Sequence, residues 1–253
     1  MKKTVAFSAV ALLTTIILGP PLASADANGG NYNTHGVLEY LPSTDPTNPV
    51  DPLDPTNPVT PTDPNLPGGI TPDPGDTTGP LSIDFASEFN FGQQKITTVD
   101  TIYNAEPQGY KKADGTSTTG PNYVQVTDNR GTLAGWSLEV KQNDDFIAQN
   151  ATAGTSGATL TGASITLKNL KHVSSSPSNA SIVGGDTVLV PGQSSGVILG
   201  AKVGEGAGTH LIDFGDDTSK DSSVTLTVPG KTTKLADTYV ASLTWSLTDT
   251  PAN

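Results

Sequence analysis

The 253-residue chain has no cysteine. That excludes disulfides, thiolate metal sites and attachment through a lipidated cysteine. Basic residues are scarce: 13 Lys and Arg stand against 25 Asp and Glu. A chain with that balance is a poor binder of nucleic acid, or of any anionic polymer, through bulk charge. Tryptophan occurs only twice, so an aromatic platform has few rings to draw on. Long apolar runs are missing too, apart from one at the start.

That run, Val5 to Gly19, follows Lys2 and Lys3 and precedes Ala23-Ser24-Ala25. This is the layout of a secretory signal peptide over residues 1–25. The run falls short of the roughly 20 residues a spanning helix needs, so no transmembrane segment is expected after cleavage. Loss of Lys2 and Lys3 leaves 11 basic residues against the 25 acidic ones. Leu41-Pro42-Ser43-Thr44 begins like a sortase signal, but Asp45 stands where glycine is required and no apolar tail follows. Retention at a surface must then be non-covalent. Export without disulfides suits a Gram-positive bacterium.

Proline is plentiful. Residues 42–80 hold twelve prolines and no Lys or Arg, and the block DPTNPV occurs at 45–50 and again at 54–59. Proline every two or three residues disfavours helix and interior strand, so the segment reads as a disordered, extended linker with polyproline character. At about 3.1 Å per residue it could span on the order of 100 Å. In the N-terminal segment before it, residues 26–41, the stretch His35-Gly-Val-Leu-Glu-Tyr-Leu41 alternates like a short strand. Alone such a strand is marginal, so it would add to a sheet of the main domain or of a partner.

From Leu81 to Asn253 the chain reads as an all-β domain, an antiparallel sandwich or barrel. Period-two alternation marks strands at 81–85, 123–126, 136–140, 164–167, 197–199, 224–228 and 239–247, with Gly, Asn, Asp and Ser clusters between them. Such spacing fits one β-sandwich core.

Motifs for chemistry are weak. Asp213-Phe214-Gly215 and Gly204-Glu-Gly-Ala-Gly208 lack the strand-to-helix context of kinase and phosphate-binding loops. The run Asp213, Asp216, Asp217, Asp221 matches no calcium loop and reads as a solvated turn. Asp144 and Asp145 are neighbours, whereas glycoside hydrolysis needs two carboxylates facing one bond. His35, His172 and His210 form no recognisable triad. Neither an enzyme, nor a metal site, nor a cofactor is expected.

The informative residues are Trp136, Leu138, Trp245 and Leu247. Both tryptophans sit in Trp-Ser-Leu, and alternation places Trp136, Leu138 and Val140 on one strand face, as it does Leu243, Trp245 and Leu247. An apolar row opposite a polar row favours burial in the sandwich core. Rings stacked on a sugar face are the alternative, since exposed rows of that kind need a covering ligand.

Val126-Thr-Asp128-Asn-Arg-Gly131 leading to Gly135-Trp-Ser-Leu138, then Val228-Pro-Gly230, and the ending Tyr239-Val-Ala-Ser-Leu-Thr-Trp-Ser-Leu-Thr-Asp-Thr-Pro251 together resemble the WxL-domain surface proteins of Gram-positive bacteria. Ala252 departs from the glycine often found there. The resemblance covers about residues 81–253. It implies a secreted protein at the cell wall or cell surface, held non-covalently through its C-terminal domain, with peptidoglycan as the ligand. It also implies partners among other WxL-family surface proteins and membrane-anchored WxL-interacting proteins, which leaves the role of a structural subunit in a multi-protein surface complex as the alternative. The resemblance carries no set of sugar-contacting residues.

Overall fold

Alternating apolar and polar residues, punctuated by glycine turns, can bury one face only by pairing into sheets that stack. The computed structural model describes residues 31–69 and 78–253, and among these nearly all regular structure is β-strand. Strands β1 (Val50–Asp51) and β2 (Asp54–Thr62) precede β3 (Leu81–Ala86), β4 (Thr101–Asn104), β5 (Gln108–Lys112), β6 (Ser117–Gly120) and β7 (Asn122–Asp128). The first Trp-Ser-Leu motif opens β8 (Trp136–Gln142). The chain then runs through β9 (Ile147–Ala148), β10 (Ser164–Leu167), β11 (Leu170–Ser174), β12 (Ser181–Ile182) and β13 (Thr187–Val188). Two long strands follow, β14 (Ser194–Ala201) and β15 (Gly208–Phe214), and then β16 (Val224–Val228), β17 (Tyr239–Val240) and β18 (Leu243–Thr248).

All pairings are antiparallel. The sheets have the orders β3-β7-β15-β11, β12-β14-β8-β18, β13-β10-β16-β4 and β1-β2-β5-β6, with a β9-β17 pair beside them. The first three share one core. Val124, Val126, Ile212 and Phe214 come from the first sheet, Trp136, Leu138, Val140 and Leu199 from the second, and Ile165, Leu167, Val224 and Leu226 from the third. No helix among the described residues is long and apolar enough to cross a membrane.

Two features of the N-terminal part differ from expectation. Residues 31–41 form no strand and are exposed throughout. A single seven-residue run that pairs with no other strand cannot satisfy its backbone groups as a strand. The signal peptide at 1–25 lies outside the described residues, as do residues 70–77 within the Pro-rich segment.

The Pro-rich segment is extended, but between Val50 and Thr62 it is docked rather than free. β2 pairs with β5, setting Val59 opposite Lys112 and Thr62 opposite Gly109. Proline is tolerated here because its φ is compatible with extended structure and β1 and β5 each pair with only part of β2. The β-domain therefore starts well before Leu81.

Docking makes a third layer over the first sheet. β7 is buried at all seven positions, on both faces, because Val124 and Val126 face the core while Tyr123, Gln125 and Thr127 face the Pro-rich strands. Gln125 acts as a surrogate backbone there: its Oε1 accepts the Val50 N–H at 2.8 Å and its Nε2 donates to the Asn48 carbonyl at 3.1 Å. Tyr110 of β5 donates to Asp51 Oδ1 at 2.8 Å, which closes the layer with a buried polar contact.

Candidate functional site

The two Trp-Ser-Leu motifs are brought together as a strand pair. β18 lies along β8, placing Leu247 opposite Leu138, Ser246 opposite Glu139 and Trp245 opposite Val140. The strands run antiparallel, so Trp136 lies just beyond the paired stretch and Trp245 within it, with the two leucines between them. Trp136 and Leu138 have no exposed surface. Trp245 and Leu247, on the edge strand, are half-buried against the same core.

The Trp136 ring is locked in place. Its indole Nε1 donates to the Gly206 carbonyl at 3.0 Å, and its ring meets His210 with centroids 5.6 Å apart. Gly206 has φ +89°, and a Cβ there would collide with Trp136 and Ala201, so only glycine fits. Gly135, at φ +79°, turns the chain into β8, where a Cβ would strike Ala201 and Pro251. Arg130 fixes the preceding loop through a bidentate pair with Asp128, its NH2 nitrogen also donating to the Gly135 carbonyl at 2.8 Å. The C-terminal tail then folds back over the motif: Ser137 donates to the Thr250 carbonyl at 2.8 Å, and the Ala252 N–H to the Ala201 carbonyl at 3.0 Å.

His210 is fully buried in this cluster. Its Nε2 lies 3.2 Å from the Ala207 carbonyl, which can only accept, so Nε2 carries the hydrogen. Its Nδ1 then accepts from His172 Nε2 at 3.0 Å. Burial, and next the neighbouring His172, lower the His210 pKa to about 4.

The carboxylates of the acidic run are dispersed. Asp213 points inward beneath the Pro-rich layer, Asp216 pairs with Lys171, and Asp217 pairs with Lys220 at 2.7 Å. Among the described residues no three His, Asp or Glu side chains are arranged to hold a metal ion.

A cleft of about 730 Å³ opens at one end of the core, between residues 88–96 and 234–241. Its floor carries Phe89, Phe91, Tyr103, Phe146 and Leu226, and its mouth Glu88, Gln94, Lys95, Lys234 and Asp237. Leu66–Gly68 of the Pro-rich segment closes one side, with Gly68 packed on Thr238. The outer wall is pinned where Asp100 accepts the Gly230 N–H at 2.7 Å. There a Cβ on Gly230 would run into the Thr98 backbone.

The family model for the WxL domain, described as surface cell wall-binding, matches residues 27–251. The chain belongs to the WxL family. No curated protein and no solved structure matches it. The WxL match begins far upstream of Leu81, in keeping with Pro-rich strands that are part of the folded domain. It places the protein among surface, cell-wall-associated proteins.

Within the WxL domain the recognisable residues divide by location. Trp136 and Leu138 are core, Trp245 and Leu247 are the half-buried edge of that core, and Val228 with Tyr239–Ala241 line the cleft. Sequence reasoning missed the cleft, since its lining comes from segments far apart in the chain. The one local signal was Val228-Pro-Gly230, whose glycine is required by the backbone of Thr98 and Val99 crossing beside it.

Proposed function

We propose that the protein is exported through its N-terminal signal peptide and attaches non-covalently to the peptidoglycan of a Gram-positive wall through the WxL domain. Its role is binding, not catalysis. The observation that carries this reading is the family match over residues 27–251. It is supported by the pairing of the two motif strands in one sheet and by an open cleft lined by other segments of the same domain. Within the acidic run, Asp216 and Asp217 are each held by a cation of the chain itself, which suits a structural role for them. With its acidic excess the domain needs specific contacts rather than bulk attraction to an anionic wall.

The test is co-sedimentation of the mature chain, residues 26–253, with purified peptidoglycan stripped of teichoic acid. Recovery in the pellet is expected, and a chain that stays in the supernatant refutes direct attachment. The fragment must include the Pro-rich strands, which cover the outer face of β7.

A second reading is favoured by a separate observation. Val37, Leu38, Tyr40 and Leu41 are each at least 74% exposed, an unpaired apolar run suited to adding a strand to a partner's sheet. In that reading the protein is a subunit of a surface complex held by a membrane-anchored WxL-interacting protein. Unchanged capture of a chain lacking residues 31–41 by such a partner refutes the role of that run.

A further inference from the structure

We propose that the cleft between residues 88–96 and 234–241 is the sugar-binding site, and that it takes a neutral N-acetylated hexosamine unit of a glycan strand. This rests on the wall-attachment reading above and names the place and the ligand class. The tryptophans do not supply the platform, because Trp136 is sealed in the core and the cleft lining does not include Trp245.

Size comes first. A volume of about 730 Å³ lies within the range of roughly 300–1,000 Å³ typical of small-ligand sites. A site of that size accommodates sugar units rather than an extended polymer surface. Composition comes second. The floor is aromatic, with Phe89, Phe91 and Tyr103 half-buried and facing the opening. A pyranose ring presents one face of C–H groups and a rim of hydroxyls, and the N-acetyl group adds a methyl and an amide. Such a ligand needs apolar rings beneath it and polar atoms at its edge, and this cleft provides both.

The polar atoms are partly uncommitted. The Tyr103 hydroxyl has no hydrogen-bond partner among the described residues, although the ring is packed against the core. Lys234 donates to the Pro229 and Thr232 carbonyls at 2.9 and 3.0 Å, which leaves one of its three N–H groups to give. Charge at the mouth is balanced, with Lys95 and Lys234 against Glu88 and Asp237. That balance selects a neutral sugar over a wall polymer dense in phosphate or carboxylate. The surroundings are firm: Tyr239 donates to the Gly157 carbonyl at 2.6 Å and accepts the Leu235 N–H at 2.8 Å, tying the 234–241 wall to the core.

The experiment titrates a soluble β-1,4-linked N-acetylglucosamine oligomer into the mature chain, follows it by NMR, and repeats the titration on two variants. Shifts should cluster at residues lining the cleft. Tyr103→Phe removes only the unpartnered hydroxyl, so it should weaken binding roughly fivefold to tenfold, as expected for one lost hydrogen bond, with an unchanged melting midpoint. Ala236→Trp fills the mouth from an exposed position and should abolish binding while the chain still folds.

Three outcomes overturn the proposal: no binding of the oligomer, shifts that lie elsewhere, or variants that bind like the parent. Shifts at the cleft caused by a soluble stem peptide and not by the oligomer would also overturn it, in favour of a peptide site. If the mature chain pellets with peptidoglycan in any of these cases, the attachment reading stands and only the site falls. If it does not pellet, the attachment reading itself falls.

Discussion

Leu138 of the first Trp-Ser-Leu motif lies directly opposite Leu247 of the second, so the repeated tripeptides form one antiparallel strand pair. The consequence is a division of labour inside the WxL signature. The first motif, in the interior of the sheet, is enclosed by β14 on one side and β18 on the other, and the returning tail closes over its outer face. The second motif, on the edge strand, stays half open. Trp245 stacks near Phe214 of the facing sheet with ring centroids 6.1 Å apart, so even its ring is engaged with the core.

Truncating the two tryptophans should therefore have unequal effects. Trp136→Ala empties a fully enclosed site and orphans the Gly206 carbonyl, for an expected loss of about 3–5 kcal/mol. Trp245→Ala should lose roughly 2 kcal/mol, because less area leaves water on folding. Urea denaturation of both variants measures the difference. Folded Trp245→Ala is expected to retain wall binding; a stable variant that fails to pellet would place the ligand at the edge strand instead.

The Pro-rich layer leads to a second expectation. Gln125 is fully buried and its amide holds the Val50 N–H, the Asn48 carbonyl and Asp84. Gln125→Ala leaves those groups unpaired and should cost about 1–3 kcal/mol. A chain starting at Leu81 should fare worse and bind a hydrophobic dye, since Tyr123 and the outer face of β7 would be bared. If that truncated chain melts like the mature one, the layer contributes nothing to stability.

How far these features could be read from sequence depends on the strand. The rows of β8, β10 and β16 alternate because one face meets the core and the other does not, and all three were legible. β15 was not, because buried His210 and Asp213 interrupt its apolar pattern. β7 alternates in sequence yet is buried on both faces, since its polar row meets a proline-rich segment whose composition alone reads as linker. The cleft was invisible for a related reason: no single segment contains enough of it to leave a pattern.

Acid should loosen the Trp136 cluster. His210 has an ordinary value of 6.5 when unfolded and about 4 when folded, chiefly through burial. Burial lowers His172 as well. The folded state thus binds fewer protons, and its stability, full above pH 6.5, falls as pH drops through 6.5 towards about 4. The loss attributable to His210 is on the order of 3 kcal/mol. Of the groups around it, His172 opposes the added charge and Asp128, already paired with Arg130, favours it only weakly. His210→Gln should flatten the fall when unfolding is followed across that window, and an unaltered acid limb would show that the imidazole pair is not its source.

Asp213 acts in the opposite sense. Its carboxyl is buried beside Asp51, Oδ1 has no partner, and burial followed by the Asp51 charge holds its pKa well above the carboxylate range. A raised carboxyl contributes stability that is complete below its unfolded value of 3.8 and disappears as pH rises through its folded value. At neutral pH the wild-type chain must either keep the proton or bury an unpaired charge, and both are unfavourable. Asp213→Asn removes that choice without changing shape, so it should raise stability at neutral pH by about 1–3 kcal/mol. The gain should shrink as pH falls towards 3.8, where the native side chain is neutral as well. Parallel denaturation curves for the two proteins at neutral and acid pH decide the matter. A variant weaker than wild type at neutral pH would mean that the ionised carboxylate is held by a favourable contact, and that the layer between β15 and the Pro-rich strands is stabilised by its charge.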